Sequence, residues 1–143
     1  MTSLSGRYSI SGGYSILLAD DHEMFRREVR KMLEEIPDLK VVGEAADGDE
    51  LFDLLRKFPP DLVIMDISMP RCRALEATRK IKGEYPGVKV LIMIMEQAQE
   101  YLAQATAAGA EGCLLKQDLG VQLTAAIDAI RRGEKFPGME TRV

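Results

Sequence analysis

The sequence predicts an α/β fold in which helices cover both faces of a five-stranded parallel sheet. Short segments that are apolar at consecutive positions alternate five times with longer amphipathic segments, within about 120 residues. Consecutive apolar positions are typical of strands buried on both faces of a parallel sheet. Because the crossovers between such strands are right-handed, we expect a doubly wound, flavodoxin-like sheet with strand order 2-1-3-4-5 and five helices.

The predicted strands and helices follow one another in strict alternation. The helices are recognised by apolar residues at helical spacing and by a proline or glycine that ends them. The strands are Ile16–Ala19, Val41–Val42, Leu62–Met65, Val88–Met95 and Cys113–Leu115. The helices end at Pro37, at Pro59-Pro60, near Tyr85 for a helix from Ala74, at Gly109 for a helix from Gln97, and at Gly133.

Two short segments flank this pattern. Gly12-Gly13 and the serines before them oppose a packed element, so residues 1–14 are expected to be a flexible lead. The folded domain is expected over residues 15–136. Residues 137–143 are expected to form a tail, and no output domain is expected within this chain.

Composition excludes several classes of protein. Lys and Arg total 19 and Asp and Glu total 23, a net charge of −4, which argues against direct binding to nucleic acid or to an anionic membrane. The longest apolar run, Val90–Met95, is too short to cross a bilayer. The two cysteines, Cys72 and Cys113, are too few for a disulfide framework. The single histidine, His22, excludes a multi-histidine metal site. We expect a cytoplasmic protein, since thiols stay reduced there.

Charged residues stand at the ends of the predicted strands. Asp20-Asp21 end strand 1, Asp66 ends strand 3 and Lys116 ends strand 5. In a doubly wound sheet, ligands bind beyond the carboxyl ends of the strands, at the switch point between strands 1 and 3. Converging carboxylates raise one another's pKa unless a cation lies among them, and an all-oxygen ligand set favours Mg²⁺.

This set of groups suits phosphoryl transfer. One carboxylate can act as the nucleophile while Mg²⁺ and the lysine ammonium neutralise the phosphoryl oxygens. Taken singly, each residue also has a structural explanation: Asp20-Asp21 as helix-capping acids, Asp66 as a turn former and Lys116 as a surface lysine. Their meeting at one sheet edge favours the functional interpretation.

Five short motifs occur in a characteristic order. They are Leu18-Ala19-Asp20-Asp21-His22, Val63-Ile64-Met65-Asp66-Ile67-Ser68-Met69-Pro70, Leu75-Glu76-Ala77-Thr78, Ala108-Gly109-Ala110 and Gly112-Cys113-Leu114-Leu115-Lys116. With this order and spacing, the chain resembles the response-regulator receiver domains of two-component signalling. Its first and third motifs are most similar to receivers of helix-turn-helix transcription regulators of the nitrate-response or LuxR type.

The resemblance implies a role for each site residue. Asp66 would accept a phosphoryl group from the phosphohistidine of a sensor histidine kinase. Asp20, Asp21 and Asp66 would hold Mg²⁺ together with the backbone carbonyl of Ser68. Lys116 would pair with Asp66 and then with the phosphoryl group. The chain would be a signalling phosphoacceptor that promotes only its own phosphorylation and slow dephosphorylation, not a metabolic enzyme.

The resemblance also implies partners besides the kinase. The output would be a DNA-binding domain or a partner protein outside this chain, and the regulated process would be transcription. The domain itself would bind neither nucleic acid nor membrane. The faces of helices 1, 4 and 5 are each candidates for a homodimer contact.

Among the positions that depart from the family's pattern, two concern the conformational switch. Ile94 stands where the family has Thr or Ser, whose hydroxyl bonds the phosphoryl group, and Cys113 stands where it has the Tyr or Phe that acts as a rotamer switch. A hydrogen bond to a charged group contributes about 1.5–3 kcal/mol, whereas moving a population from 1:99 to 99:1 takes about 5.5 kcal/mol. We therefore expect Asp66 to keep its chemistry and the conformational switch to be weakened.

Other functions fit the residues less well. Ile94 and Cys113 also suit a receiver-like interaction module that works without phosphorylation. A dehalogenase-like phosphatase requires a second Asp two residues after the nucleophile, where this chain has Ser68. A Rossmann enzyme requires a glycine-rich turn after strand 1, which is absent from Asp20-Asp21-His22-Glu23.

The histidine and the cysteines receive structural interpretations. We expect His22 to be a surface residue at a helix start, since it lacks a partner ligand. Cys72 and Cys113 are expected to be unreactive. Cys72, which lies between Arg71 and Arg73, is the better candidate of the two for a redox-sensitive thiol.

Overall fold

A computed structural model describes residues 13–95 and 99–136. Within these ranges, strands and helices alternate along the chain as the sequence predicts. The strands are β1 (Tyr14–Ala19), β2 (Leu39–Ala45), β3 (Leu62–Asp66), β4 (Lys89–Ile94) and β5 (Gly112–Leu115). The helices are α1 (Glu23–Glu34), α2 (Gly48–Lys57), α3 (Ala74–Glu84), α4 (Gln99–Ala108) and α5 (Leu119–Arg131), with a 3₁₀ turn at Lys116–Asp118.

The strands form one parallel sheet with the order β2-β1-β3-β4-β5. This is the predicted 2-1-3-4-5 order, and the flavodoxin-like prediction is confirmed. The order reverses direction between β1 and β3, where Ile16 pairs with Leu62 and Ala19 with Met65. The carboxyl ends of β1 and β3 therefore lie side by side.

Helices pack on both faces of the sheet because successive strand residues point to opposite sides. Leu17 and Ala19 of β1 belong to the core under α2, α3 and α4, whereas Ile16 and Leu18 belong to the core under α1 and α5. β3 is buried along its whole length. Burial on both faces explains why apolar residues occupy consecutive positions in these strands.

Local sequence signals set where several helices begin and end. The Asp47 carboxylate accepts a 2.9 Å hydrogen bond from the backbone N–H of Glu50. The Glu50 carboxylate accepts a second bond, from the backbone N–H of Ala46, so two side chains satisfy backbone donors at the start of α2. Gly109 and Gly133 follow α4 and α5 with φ of +104° and +85°, a conformation suited to glycine at a helix end. Among the described helices, none is long and apolar enough to cross a lipid bilayer.

Several predicted boundaries need correction. β2 runs over Leu39–Ala45 and β4 over Lys89–Ile94, and two further changes concern single residues. Tyr14, expected in the flexible lead, is the first residue of β1, because its N–H donates to the Asp38 carbonyl and it pairs with Leu39. β5 ends at Leu115 and not at Lys116, which opens the 3₁₀ turn. Most of the expected lead (1–12), the start of the fourth predicted helix (97–98) and the tail (137–143) lie outside the described residues.

Candidate functional site

The sheet brings three of the four predicted charged side chains into contact at one edge. Asp20 follows β1, Asp66 is the last residue of β3, and Lys116 follows β5. The Lys116 ammonium lies 3.1 Å from Asp20 Oδ2 and 3.3 Å from Asp66 Oδ1. Both carboxylates are fully buried, and the lysine side chain is 9% exposed. One cation thus lies between two buried anions.

Asp66 is held in an environment that disfavours its charge. Burial, followed by the charge of Asp20, raises the pKa of Asp66 above its ordinary value. Lys116 and hydrogen bonds from Ser68 act in the opposite direction but do not cancel this effect. The site therefore has an excess of negative charge, which a second cation would relieve.

The donor atoms fit a divalent metal. Asp20 Oδ2 and Asp66 Oδ1 are buried oxygens that share the Lys116 ammonium as an ion-pair partner and accept no hydrogen bond from the other described residues. Asp20, Asp21, Asp66 and His22 each offer a ligand atom, and these atoms all lie within 4.8 Å of one another. A set dominated by carboxylate oxygens suits a hard cation such as Mg²⁺. This agrees with the cation expected from the sequence.

Two neighbours complete the acidic cluster. Asp21 is more exposed than Asp20, with its side chain 31% accessible. The Ser68 hydroxyl donates a 3.1 Å hydrogen bond to Asp66 Oδ2, so the residue expected to contribute its carbonyl also contacts the phosphoacceptor candidate through its side chain.

His22 is closer to the cluster than the sequence suggests. Its side chain is exposed at the N-terminus of α1, as expected, but its Nδ1 lies 3.2 Å from Asp20 Oδ1 and 3.5 Å from Asp21 Oδ1. Its backbone N–H also donates to Asp20 Oδ1, at 2.8 Å. Its position directly after the Asp pair puts the residue beside the cluster but does not determine the direction of its ring. The imidazole therefore contacts two candidate metal ligands.

In the sequence, Phe25 is only one of the apolar residues at helical spacing in the first predicted helix. In the structure, its ring centroid lies 4.3 Å from Lys116 Nζ, a cation–π distance. The Lys116 ammonium thus contacts the aromatic ring as well as both carboxylates. No sequence signal beyond the helical periodicity points to this contact, since it joins residues 91 positions apart, from 25 to 116.

The two positions that depart from the family at the switch are both buried. Ile94 is the last residue of β4 and is 2% exposed, and Cys113 lies within β5 and is also 2% exposed. Both belong to the core under α2, α3 and α4. Neither side chain offers a hydroxyl to the site.

The arginines beside Cys72 do not activate its thiol. Arg71 instead forms ion pairs with Asp47 and, at 3.3 Å, with Asp49 at the start of α2. Burial, with a smaller contribution from the charge of Asp66, raises the pKa of Cys72 to about 11. Burial raises the pKa of Cys113 to about 11 as well, so the arginines do not set Cys72 apart, and its partial exposure is what distinguishes it from the buried Cys113.

Comparison with known proteins identifies the family. The profile described as "Response regulator receiver domain" matches residues 16–128. The chain belongs to the response-regulator receiver family. The receiver is 36% identical over 121 residues to the transcriptional regulatory protein DegU of Brevibacillus brevis, an alignment that covers 85% of this chain and 51% of DegU. The chain spans about half the length of the curated relatives that it matches.

Solved structures agree with this assignment. A LuxR-family response regulator from Aurantimonas sp. SI85-9A1 matches the receiver with a TM-score of 0.82 and 36% identity, covering 87% of this chain and 89% of that one. A structure of two RcsB dimers bound to two parallel DNAs matches with a TM-score of 0.81 and 30% identity, covering 87% and 64%. The family and the fold expected from the resemblance are confirmed.

Proposed function

We propose that this receiver accepts a phosphoryl group on Asp66 from the phosphohistidine of a sensor histidine kinase. The single observation that carries the proposal is the position of Lys116 Nζ, 3.1 Å from Asp20 and 3.3 Å from Asp66. This arrangement supplies a nucleophilic carboxylate, a group for metal ligation and a fixed positive charge within one small volume. These are the components that phosphoryl transfer to a carboxylate requires.

Each residue has a distinct role in this proposal. Asp66 attacks the phosphorus through a carboxylate oxygen as the P–N bond of the phosphohistidine breaks, with the electron pair leaving on the imidazole nitrogen, and the Lys116 ammonium neutralises a phosphoryl oxygen on the product. Asp20 and Asp21, with Asp66 and the Ser68 carbonyl, would hold Mg²⁺, which supplies positive charge to the transferring phosphoryl group. The Phe25 ring contacts the Lys116 ammonium beside both carboxylates.

The proposed chemistry is confined to the protein's own carboxylate. Asp66 carries the phosphoryl group as a signal, and water removes it slowly, so the receiver turns over no metabolite. The sequence supports this reading over a phosphatase of the dehalogenase type, because Ser68 stands where that family needs a second Asp. The comparisons give no support to an interaction module that works without phosphorylation.

We further propose that phosphorylation is weakly coupled to the surface of α4 and β5. Ile94 has no hydroxyl that could donate a hydrogen bond to the phosphoryl group, and Cys113 has no aromatic ring that could change rotamer in response. The missing hydrogen bond would contribute about 1.5–3 kcal/mol. Moving the receiver from 1:99 to 99:1 between its inactive and active conformations requires roughly 5.5 kcal/mol. A large share of the switching energy is therefore lost.

The output of this receiver would be transcriptional control. The relatives are named as transcriptional regulatory proteins and are about twice as long as the matched region, and RcsB has been solved as dimers on DNA. By analogy, a DNA-binding domain or a partner protein would act downstream of this receiver. Two copies of the receiver would contact each other in a homodimer. The cytoplasmic location stays a prediction that follows from this set of partners.

Beryllofluoride, which mimics an acyl phosphate on aspartate, tests both parts of the proposal. We expect it to bind in a Mg²⁺-dependent manner to the receiver and not to Asp66→Asn, as followed by fluorine NMR. Amide shifts should be large around residues 20, 66 and 116 and small across α4 and β5. Large shifts across α4 and β5 would overturn the weak-coupling part, and Mg²⁺-dependent binding to Asp66→Asn would overturn the assignment of Asp66.

A further inference from the structure

The chain after α5 returns to the outer edge of the sheet. β5 is the outermost strand on its side of the order β2-β1-β3-β4-β5. Phe136 lies against its outer edge in a parallel bridge with Gly112. The Phe136 N–H donates to the Glu111 carbonyl at 2.9 Å, and the Phe136 carbonyl accepts from the Cys113 N–H at 3.1 Å. The chain therefore reaches a sixth strand position at Phe136, the last described residue.

The direction of this bridge leads the chain along β5. The pairing is parallel, so the residues after Phe136 head toward the carboxyl end of β5. In a strand, the N–H and C=O groups of alternate residues point to the same edge. The Cys113 carbonyl and the Leu115 N–H therefore point outward, in register with the N–H and the carbonyl of Gly138. Pro137 has no N–H, but its nitrogen points away from β5 in this register, where an edge strand tolerates proline.

A largely apolar cavity lies beside this edge, on the side of α4. Its volume is about 100 Å³, and its lining includes Leu102 of α4, Cys113 of β5 and Phe136. Phe136 itself packs against the other core, the one under α1 and α5. Because side chains alternate along a strand, the next odd-numbered positions fall on the α4 side, toward the cavity. The sequence has Pro137 and Met139 at these positions, and both are apolar.

We propose that residues 137–139 continue the chain as a sixth parallel strand on β5, with Met139 covering the cavity beside α4. The inference does not depend on phosphorylation of Asp66. The occupant is this chain's own segment, because Phe136 directly precedes it and already makes the first two hydrogen bonds of the ladder. A tethered segment pays little further entropy to dock, whereas a second copy of the chain must first associate. Residues 137–139 would thus form part of the surface of α4 and β5.

Amide hydrogen exchange in the whole chain, followed by NMR, tests this strand. We expect the Leu115 N–H to be protected. Gly138→Pro removes the N–H that would bond the Cys113 carbonyl, and it should accelerate exchange at Leu115 about tenfold, since local opening then breaks fewer contacts. Glu140→Pro is the matched control, because position 140 lies beyond the end of β5. Leu114, whose N–H points toward β4, should exchange at the same rate in both variants.

A second pair of variants tests the contact with the cavity. Met139→Ser keeps the backbone of the segment and removes its apolar side chain, so it should accelerate exchange at Leu115 about fivefold. Met24→Ser is the matched control, because Met24 is 79% exposed on α1, and it should leave this rate unchanged.

Each outcome bears on the proposal. Faster exchange at Leu115 in Gly138→Pro and Met139→Ser, with both controls unchanged, supports it. Fast exchange at Leu115 in the unaltered chain, or an unchanged rate in Gly138→Pro, overturns the strand. An unchanged rate in Met139→Ser overturns the contact with the cavity. Protection that fades on dilution shows that a second copy occupies the edge and overturns the assignment to the chain's own segment.

Discussion

The ammonium of Lys116 lies 3.3 Å from the carboxylate of Asp66, and both groups are almost fully removed from solvent. Asp20 competes for the same ammonium at 3.1 Å. Two buried negative charges thus depend on one positive charge. The first two predictions follow from this imbalance.

Replacing Asp66 by asparagine should stabilise the metal-free chain. The pKa of Asp66 is raised in the folded state, so its contribution to stability is present below its unfolded pKa and is lost as pH rises through the folded pKa. At pH 7.5 in EDTA, we expect Asp66→Asn to melt about 3 °C or more above the unaltered chain. The two should converge toward about pH 4. A lower Tm for Asp66→Asn at neutral pH would contradict this account.

Removing the lysine should have the opposite effect. Lys116→Met leaves Asp20 and Asp66 buried without their cation, a change that costs about 3–5 kcal/mol when one partner of a buried pair is lost. Urea denaturation in EDTA measures this loss, and Mg²⁺ should restore part of it. Lys57→Met, at an exposed position in α2, is the matched control and should be nearly neutral. Equal effects of the two variants would argue against a structural role for Lys116.

Much of the site could be predicted because its residues are adjacent to strand ends. Asp66 and Lys116 follow from the parallel order alone, since all strand carboxyl ends meet at one edge. Two contacts could not be predicted from the sequence: the approach of His22 Nδ1 to Asp20, and the cation–π contact between Phe25 and Lys116. Both depend on side-chain orientation at the start of α1. These contacts are set by how α1 packs, and periodicity specifies only which face is buried.

The charges of the residues next to Cys72 in the sequence do not predict the reactivity of its thiol. Arg71 adjoins the thiol along the chain but adopts a φ of +52° and pairs with Asp47 across the loop. That contact joins residues 24 positions apart and carries no local signature. Similarly, Tyr14 could not be assigned to β1 from local composition, because its pairing with Leu39 is what makes it a strand residue.

The two thiols should react slowly with an alkylating or disulfide reagent. Burial raises the pKa of Cys113 to about 11, and burial with the Asp66 charge raises that of Cys72 to about 11. At pH 8 the thiolate fraction is then about two hundredfold below that of an ordinary cysteine. Titration with Ellman's reagent should show slow labelling in the folded chain and rapid labelling of both thiols in guanidinium. Fast labelling of Cys72 in the folded chain would contradict the prediction.

Tyr101→Phe should stabilise the chain. The Tyr101 hydroxyl on α4 is buried without a hydrogen-bond partner among the described residues. An unsatisfied buried polar group costs about 1–3 kcal/mol, so its removal should raise the free energy of unfolding by about 1 kcal/mol. Urea denaturation checks this, with Tyr85→Phe as the comparison. A loss of stability in Tyr101→Phe would contradict the prediction and would indicate that the hydroxyl has a hydrogen-bond partner in the folded chain.

Intact-mass spectrometry gives the most direct test that Asp66 is the phosphoacceptor. The chain is incubated with N-phosphoimidazole and Mg²⁺, and Asp66→Asn and Asp53→Asn are treated in parallel, the latter as an exposed-carboxylate control. We predict one added phosphoryl group on the unaltered chain and on Asp53→Asn, its loss on mild base treatment, and no addition to Asp66→Asn. An equal addition to Asp66→Asn, or none to the unaltered chain, would contradict the claim.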